Sequence, residues 1–382
     1  MFRVYVGCFG SGLGHASRML EVADAARMEG GEVRFSSSGE VAEMIKGRGY
    51  PCNELPLADV LYSDDGSFSL RGTMESSPRI LARVYKQVYR EAANIARFRP
   101  AVVLSDSSLS TVIAAKLCEV PVLTVLNQLS LTSSQSGRGF GVKLLAFGTS
   151  TFIGRLWELS DEVLLPDLPP PYTISERNIW GSEVSKTRYI GFLQMAPRSE
   201  IDPTAHRLAG DPRRKVFWQV SGPPRTRLPF LRKALEVAEA LSDEFVFVVS
   251  SGDPAGSVVP KAIPGGWCYG WCRYPERLFS ACDVVVSRAG HGTIGQSIIA
   301  SKPSLLVPIP NQPEQEGNAQ KAQRLGVALC VEQEDLSIER VCGAMQRLTE
   351  SEARDRVRRL GEYARGFDGV GEVMSAVRSL VT

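Results

Sequence analysis

Short β-branched and aliphatic runs alternate with longer stretches of helical periodicity along most of the chain. Residues 2–9, 32–36, 50–55, 101–106 and 120–127 read as strands, and several are apolar throughout, the habit of strands buried on both faces of a parallel sheet. Between them, 16–29, 38–48, 78–99 and 110–119 carry helical spacing. In 78–99 the expected inward face is Ile80, Leu81, Val84, Val88 and Ala92. The alternation lapses after residue 128. Residues 129–141 are rich in Ser, Thr and Gly, like a loop, whereas 142–159 is apolar with Lys143 and Arg155. The latter suits a core helix or a surface that touches a membrane. Strands follow at 162–165 and 188–192, and 194–214 mixes Pro, Asp and Arg without period, as a linker does.

A second series starts at strand 215–220 and continues with helix 228–241, strand 244–250, helix 274–281, strand 284–286, helix 294–300 and strand 304–307. A helix opens at Asn318, strand 327–330 comes next, and helices at 337–349, 350–367 and 372–380 close the chain. Strands alternating with helices predict βαβ units, hence an α/β fold of two doubly wound parallel-sheet (Rossmann-like) domains. Their expected bounds are 1–195 and 196–366, with 367–382 as a terminal helix, which suits a length of 382 residues.

Composition narrows the function classes. A net charge of +2 gives no reason to expect nucleic-acid binding. The eight cysteines form no disulfide framework, and Cys268 and Cys272 lack the second pair a zinc site needs. Reduced thiols in a cytoplasmic protein are expected. The first residues read as a strand and turn rather than a signal peptide, and no run of about 18 apolar residues predicts a membrane span.

The candidate chemistry lies in Gly-rich turns at predicted strand tips, where open α/β sheets bind ligands. Arg288-Ala289-Gly290-His291-Gly292-Thr293 joins a strand to a helix N-terminus, a place that suits a phosphate. Gly10-Ser11-Gly12-Leu13-Gly14-His15 stands after the first strand. It matches a dinucleotide fingerprint poorly, because Ser36-Ser37-Ser38 puts no acid at the tip of the second strand. His15 is one of only three histidines, and an imidazole near neutral pKa is the side chain best suited to act as a general base. Its plain alternative is a turn residue. Arg18, one helical turn on, suits a bound phosphate or the helix surface. Asp106 at the tip of 101–106 would orient His15 or cap the following helix. Asn127 at another tip could bind a ligand's hydroxyls.

The composite over 283–326 resembles the donor-nucleotide signature of GT-B glycosyltransferases of families 1 and 28, a branch that includes the lipid-linked N-acetylglucosaminyltransferases of peptidoglycan synthesis. It is carried by Gly290 and Thr293, Lys302-Pro303 with Pro308, Glu314-Gln315 and Asn318-Ala319. The family has Glu where this chain has Gln296, so the charge-assisted part of ribose binding is lost here. The resemblance implies two domains facing a cleft, with a UDP-sugar on the second and an acceptor, lipid-linked or a glycan, on the first. His15 and Asp106 would be catalytic, with Gly12, Gly14, Arg18 and Asn127 on the acceptor side. Ser221, Gly222, Trp271, Cys272, Arg288, Gly290, His291, Gly292, Thr293, Gln296, Glu314, Gln315 and Asn318 would form the donor side. Arg225 and Arg227 would add charge beside Ser221, and the last helix would cross back to the first domain. No Asp-x-Asp of the metal-holding kind occurs, so neither metal nor cofactor is expected. Peripheral contact with the inner face of a membrane follows if the acceptor is lipid-linked. Rival readings are a UDP-sugar 2-epimerase, a non-catalytic nucleotide-sugar-binding subunit and, more distantly, a dehydrogenase.

Overall fold

The computed structural model describes residues 2–57, 77–128, 154–179, 186–193 and 203–381. The expected loop 129–141, most of 142–159 and linker residues 194–202 lie outside the described residues. The rest divides into two units, 2–193 with 367–381, and 203–366, each built on its own sheet.

The first unit runs β1 (Arg3–Cys8), α1 (Leu13–Met28), β2 (Glu32–Ser37), α2 (Gly39–Gly47), β3 (Cys52–Glu54), α3 (Ser77–Phe98), β4 (Val102–Asp106), α4 (Leu109–Leu117), β5 (Val122–Val125), β6 (Glu162–Leu165), α5 (Glu176–Ile179) and β7 (Thr187–Tyr189). Its strands lie in the order β3-β2-β1-β4-β5-β6-β7, all parallel. Successive strand residues serve opposite faces. Val4, Val6, Val102 and Leu104 join one core, and Tyr5 and Val103 join the other with Ile95, Phe98 and Trp157. Trp157 therefore belongs to the core, while residues 142–153 of the stretch lie outside the described residues.

The second unit runs α6 (Pro203–Ala209), β8 (Arg214–Gln219), α7 (Pro224–Ala240), β9 (Phe245–Ser250), β10 (Lys261–Ile263), β11 (Gly266–Tyr269), α8 (Pro275–Ala281), β12 (Val284–Ser287), α9 (His291–Ile299), β13 (Ser304–Leu306), α10 (Pro313–Arg324), β14 (Ala328–Cys330), α11 (Ile338–Leu348) and α12 (Ser351–Ala364). The order is β10-β11-β9-β8-β12-β13-β14, parallel except for β10 with β11. The last helix, α13 (Gly369–Val381), belongs to the first unit, where Val373, Met374, Ala376 and Val377 enter the core with Val4, Val6 and Leu20. The chain arrives there past Gly191, whose φ is 76° and whose place leaves no room for a side chain, since a Cβ would stand 2.3 Å from Phe367.

Several helices start earlier than periodicity predicts, α9 at His291 instead of 294 and α13 at Gly369 instead of 372 among them. α1 begins at Leu13 instead of 16, so His15 lies inside its first turn. α7 begins at Pro224 instead of 228, and α10 at Pro313 instead of 318. Proline reads as loop in a sequence, yet its fixed φ and missing N–H suit the first helical position.

Helix α3 departs more. Leu81 is 68% exposed, and the inward row is Val84, Val88, Glu91, Ile95 and Phe98. Glu91 is fully buried, accepting from Ser36 Oγ at 2.7 Å, Thr111 Oγ1 at 2.6 Å and the Tyr5 hydroxyl. Burial raises its carboxyl above the ordinary range, although the three hydroxyls pull the other way. The folded state thus holds the Glu91 proton more tightly than the unfolded chain does. This contribution to stability is present below the unfolded value of about 4.3 and is lost as pH rises through the raised folded value. Glu91→Gln is expected to remove that decline. Glu91→Ala takes a shared acceptor from three buried hydroxyls and leaves a cavity, and is expected to lower the unfolding free energy by about 2–4 kcal/mol, read by denaturant titration.

Candidate active site

Each sheet reverses its winding at one place, between β1 and β4 in the first and between β8 and β12 in the second. The helices that follow the paired strands leave in opposite directions there, which opens a crevice at the strand C-termini. Cys8 pairs with Asp106, and Gln219 with Ser287, so the residues after these tips line the two crevices.

In the first crevice, the turn after β1 delivers His15 and Arg18 three residues apart on α1, hence on one side of the helix. Asp106 reaches them from the end of β4 and is wholly buried. Its Oδ1 lies 2.8 Å from His15 Nδ1, its Oδ2 lies 2.6 Å from Arg18 Nε, and Arg18 Nη2 also donates to Oδ1. A buried carboxylate needs such a cation, and the two-pronged guanidinium is its best geometric match. Arg18 Nη1 donates to Asn127 Oδ1 at 3.3 Å, and Nη2 lies 3.5 Å from Ser107 Oγ. Burial pushes the Asp106 carboxyl up, but Arg18 and His15 together outweigh it and hold it at about 2. As a carboxylate it can only accept, so His15 Nδ1 carries the proton and Nε2 keeps its lone pair. The 3.2 Å approach of Arg18 Nη2 to His15 Nδ1 then brings two donors together and is not a hydrogen bond. The imidazole is partly exposed and meets the Phe9 ring edge-on at 5.7 Å.

The structure therefore joins His15, Asp106, Arg18 and Asn127 in one network. It corrects two expectations. Arg18 does not lie on the helix surface: its side chain is 11% exposed and its guanidinium meets Asp106, Asn127 and Ser107. Asp106 does not cap the next helix, since Ser108 holds that place. Ser107 takes a φ of 51°, a conformation an L-residue adopts at a cost, at the tip that aims Asp106. Gly12 has a φ of 90° and turns the chain into α1. A Cβ on Gly14 would meet nothing within 4 Å.

In the second crevice the sequence-predicted residues split into two sets. One set faces inward and holds the loops. Arg288 is 1% exposed and donates to the carbonyls of Val307 at 3.2 Å, Pro308 at 3.3 Å and Thr226 at 2.9 Å, and to Gln333 Oε1 at 2.6 Å. Its guanidinium also lies over the Phe230 ring at 4.3 Å, and burial lowers its pKa to about 9. It ties the ends of β12 and β13 to the start of α7. Gln315 Oε1 accepts from the Ile309 N–H at 2.9 Å, and Asn318 Nδ2 donates to the Ala289 carbonyl at 3.2 Å. Arg227 donates to the Gly222 carbonyl at 2.7 Å and is buried, not a solvated surface charge. Cys272 sits in the core with Leu278 and Phe279, and His291 is buried at the start of α9.

The other set stays partly or fully exposed: Ser221, Gly222, Trp271, Gly290, Gly292, Thr293, Gln296 and Glu314. The Trp271 N–H is already donated to the Ser257 carbonyl at 3.0 Å. Gly222 has a φ of 102° and bends the chain into α7. A Cβ on Gly290 or Gly292 would meet nothing within 4 Å, so the packing itself does not demand glycine at either place. The described residues include no group of three or more His, Cys, Asp or Glu side chains placed to hold a metal ion. Sequence reasoning missed Ser107, Thr226 and Gln333, for which no motif offered a signal.

Two seven-stranded parallel-based sheets of this order, each with a crevice at its winding reversal, define the GT-B class. The glycotransferase of kitacinnamycin superposes with a TM-score of 0.70 at 17% identity, covering 100% of this chain and 99% of its own. The Streptomyces glycosyltransferase SsfS6, complexed with thymidine diphosphate, gives 0.67 at 19% identity, covering 99% and 100%. Residues 274–359 match the glycosyltransferase family 28 C-terminal domain, and residues 2–139 match glycosyltransferase family 1. A chain of Methanosarcina mazei described as an uncharacterized glycosyltransferase is 28% identical over 99% of this chain and 97% of its own length. A UDP-N-acetylglucosamine–N-acetylmuramyl-(pentapeptide) pyrophosphoryl-undecaprenol N-acetylglucosamine transferase of Prochlorococcus marinus is 44% identical over 62 residues, 16% of this chain and 17% of its own. The protein is a glycosyltransferase of GT-B fold.

Proposed function

We propose that the chain transfers a sugar from a UDP-sugar, with UDP-N-acetylglucosamine the first candidate, to an acceptor hydroxyl, with inversion and without a metal ion. The observation that carries the transfer chemistry is the hydrogen bond from His15 Nδ1 to a carboxylate held at about 2, which leaves Nε2 as the base. The acceptor oxygen forms its bond to the anomeric carbon as the bond to the diphosphate breaks. Its proton passes to His15 Nε2, and the electron pair leaves with the diphosphate. Asp106 stabilises the imidazolium that results. The amides of residues 290–292, Thr293 and the Ser221 turn would stabilise the departing charge, the role a metal has elsewhere. Glu314 would read the sugar hydroxyls. The uridine reading is supported by the 62-residue similarity to a UDP-N-acetylglucosamine transferase. Such donors are cytoplasmic, and a lipid-linked acceptor would bring the chain to the inner face of a membrane.

Calorimetric titration without metal tests the donor, using UDP, UDP-N-acetylglucosamine, UDP-glucose, thymidine diphosphate, GDP and NAD. UDP compounds are expected to bind, and Thr293→Val to weaken them about 10–100-fold by removing one hydroxyl from a charged group. Glu314→Ala is expected to abolish the advantage of the sugar nucleotide over UDP. No heat with any uridine compound would remove the assignment. Turnover of UDP-N-acetylglucosamine without an acceptor would point to the epimerase instead.

A further inference from the structure

Asp106 receives more donors than an orienting carboxylate needs. His15 Nδ1 meets Oδ1 at 2.8 Å, and the Arg18 fork meets both oxygens, Nη2 on Oδ1 and Nε on Oδ2 at 2.6 Å. Oδ2 is the oxygen that His15 leaves open, and Arg18 fills it. A proton arriving on the carboxyl would have to displace a guanidinium N–H. Burial favours that proton, and Arg18 is the strongest influence against it, ahead of His15. The other described groups that meet the pair are uncharged. Asn127 after β5 accepts from Arg18 Nη1, Ser107 after β4 offers a hydroxyl, and Phe9 before α1 an aromatic edge. Cys8 at the end of β1 is buried, which pushes its thiol well up, and Asp106 and Glu91 add to that against Arg18. Glu91 on α3 is itself pushed up by burial. Nothing else at this tip can take over the charge of Arg18.

We propose that Arg18 is a positioning residue that keeps the Asp106–His15 pair one proton short, so that His15 Nε2 holds a lone pair. The inference rests on the reading of His15 as the base. Two groups this close titrate as a unit. A further proton can sit on the carboxyl, which then donates to Nδ1 and leaves the ring hydrogen on Nε2. It can equally sit on the ring, with Nδ1 still donating to the carboxylate, and Nε2 again carries a hydrogen. Both arrangements remove the base. A buried carboxylate and an imidazole by themselves invite that proton, because burial favours the first arrangement and the carboxylate's charge the second. Arg18 opposes both. Its fork binds the carboxylate form, and its Nη2, 3.2 Å from Nδ1, sets a permanent positive charge beside any imidazolium. The three-residue spacing on α1 fixes that distance through the helix itself.

The test reads Nε2 directly, in long-range ¹H–¹⁵N spectra of the full chain labelled with ¹⁵N-histidine, without nucleotide or acceptor. A ring nitrogen with a lone pair and one with a hydrogen resonate far apart, and His15→Ala assigns the His15 signals among the three histidines. As pH falls, Nε2 is expected to gain its hydrogen first in Arg18→Gln, next in Arg18→Lys, which keeps the charge without the fork, and last in the parent chain. At neutral pH the parent shows the lone pair, and Arg18→Gln at least about tenfold more of the protonated form. A merely structural role for Arg18 would not produce this order. Circular dichroism verifies the fold of each variant, and if Arg18→Gln does not fold, Arg18→Lys against the parent decides. Coincident titrations in the parent and every folded variant, or a parent Nε2 that carries a hydrogen at neutral pH, overturn the proposal. No donor takes part, so the result is separate from the function reading. The expected order together with undiminished sugar transfer by His15→Ala would remove the base and leave the hold of Arg18 on the pair.

Discussion

Asp106→Asn is expected to lower kcat/KM for sugar transfer by about 10²–10⁴-fold while leaving donor affinity near that of the parent chain. An asparagine in this place has one oxygen and one amino group for three donors. If its oxygen accepts from His15 Nδ1, its amino group confronts the Arg18 fork. If it turns over, the amino group meets His15 and favours the tautomer whose Nε2 carries the proton, which cannot serve as a base. Either way the network that fixes the imidazole is broken. The substitution also leaves the largely buried Arg18 without its counter-charge, a loss of about 3–5 kcal/mol in unfolding free energy. The pH dependence follows with a definite sign. The folded Asp106 titrates at about 2, below an unfolded value of about 3.9, so its contribution is present above about pH 4 and is lost as pH falls through about 2. That contribution is on the order of 2 kcal/mol, and Asp106→Asn should flatten this acid limb. Kinetics and acid unfolding on one preparation check both halves. A folded variant with parental kcat/KM would take Asp106 out of the mechanism.

Gly292→Ala is expected to move stability and binding in opposite directions. Gly292 is exposed in the first turn of α9, and a methyl group there touches nothing. Alanine is better than glycine in a helix by about 0.8–1 kcal/mol, so the variant should unfold slightly later. If a diphosphate rests on this turn, the same methyl group stands where phosphate oxygens approach the backbone. Such overpacking costs about 1–3 kcal/mol, or about 10–100-fold in the Kd for UDP. Thermal denaturation and calorimetry separate the two effects. A plain βα turn would show the first and not the second, so unchanged UDP affinity would move the donor elsewhere.

The chain's own order of residues determined a good deal. Apolar runs buried on both faces can only be parallel strands covered by helices, and that pattern is legible at 101–106 and 244–250 without any fold. Glycine turns at strand tips marked both crevices, and His15 stood out because histidine is scarce and its chemistry narrow. Helix starts at Pro224 and Pro313 were misread because proline signals both loop and first helical residue. Side-chain partners were legible hardly at all. Asp106 meets His15 and Arg18 across 91 and 88 residues, a distance no local periodicity spans. Whether Arg18 faced water, a phosphate or a carboxylate depended on which strand lay beside β1. Arg288 has the same neighbours in the sequence whether it points out or in. The carbonyls of Val307, Pro308 and Thr226 turned it inward, and they converge only once β13 and α7 are in place. Glu91 can stay buried because three hydroxyls from other elements meet its carboxyl, and no spacing within 78–99 announces them. Elements follow from local spacing because helix and strand periods are local. The chemistry of the site was decided by the tertiary structure, because a buried charge takes the partner that the fold brings to it.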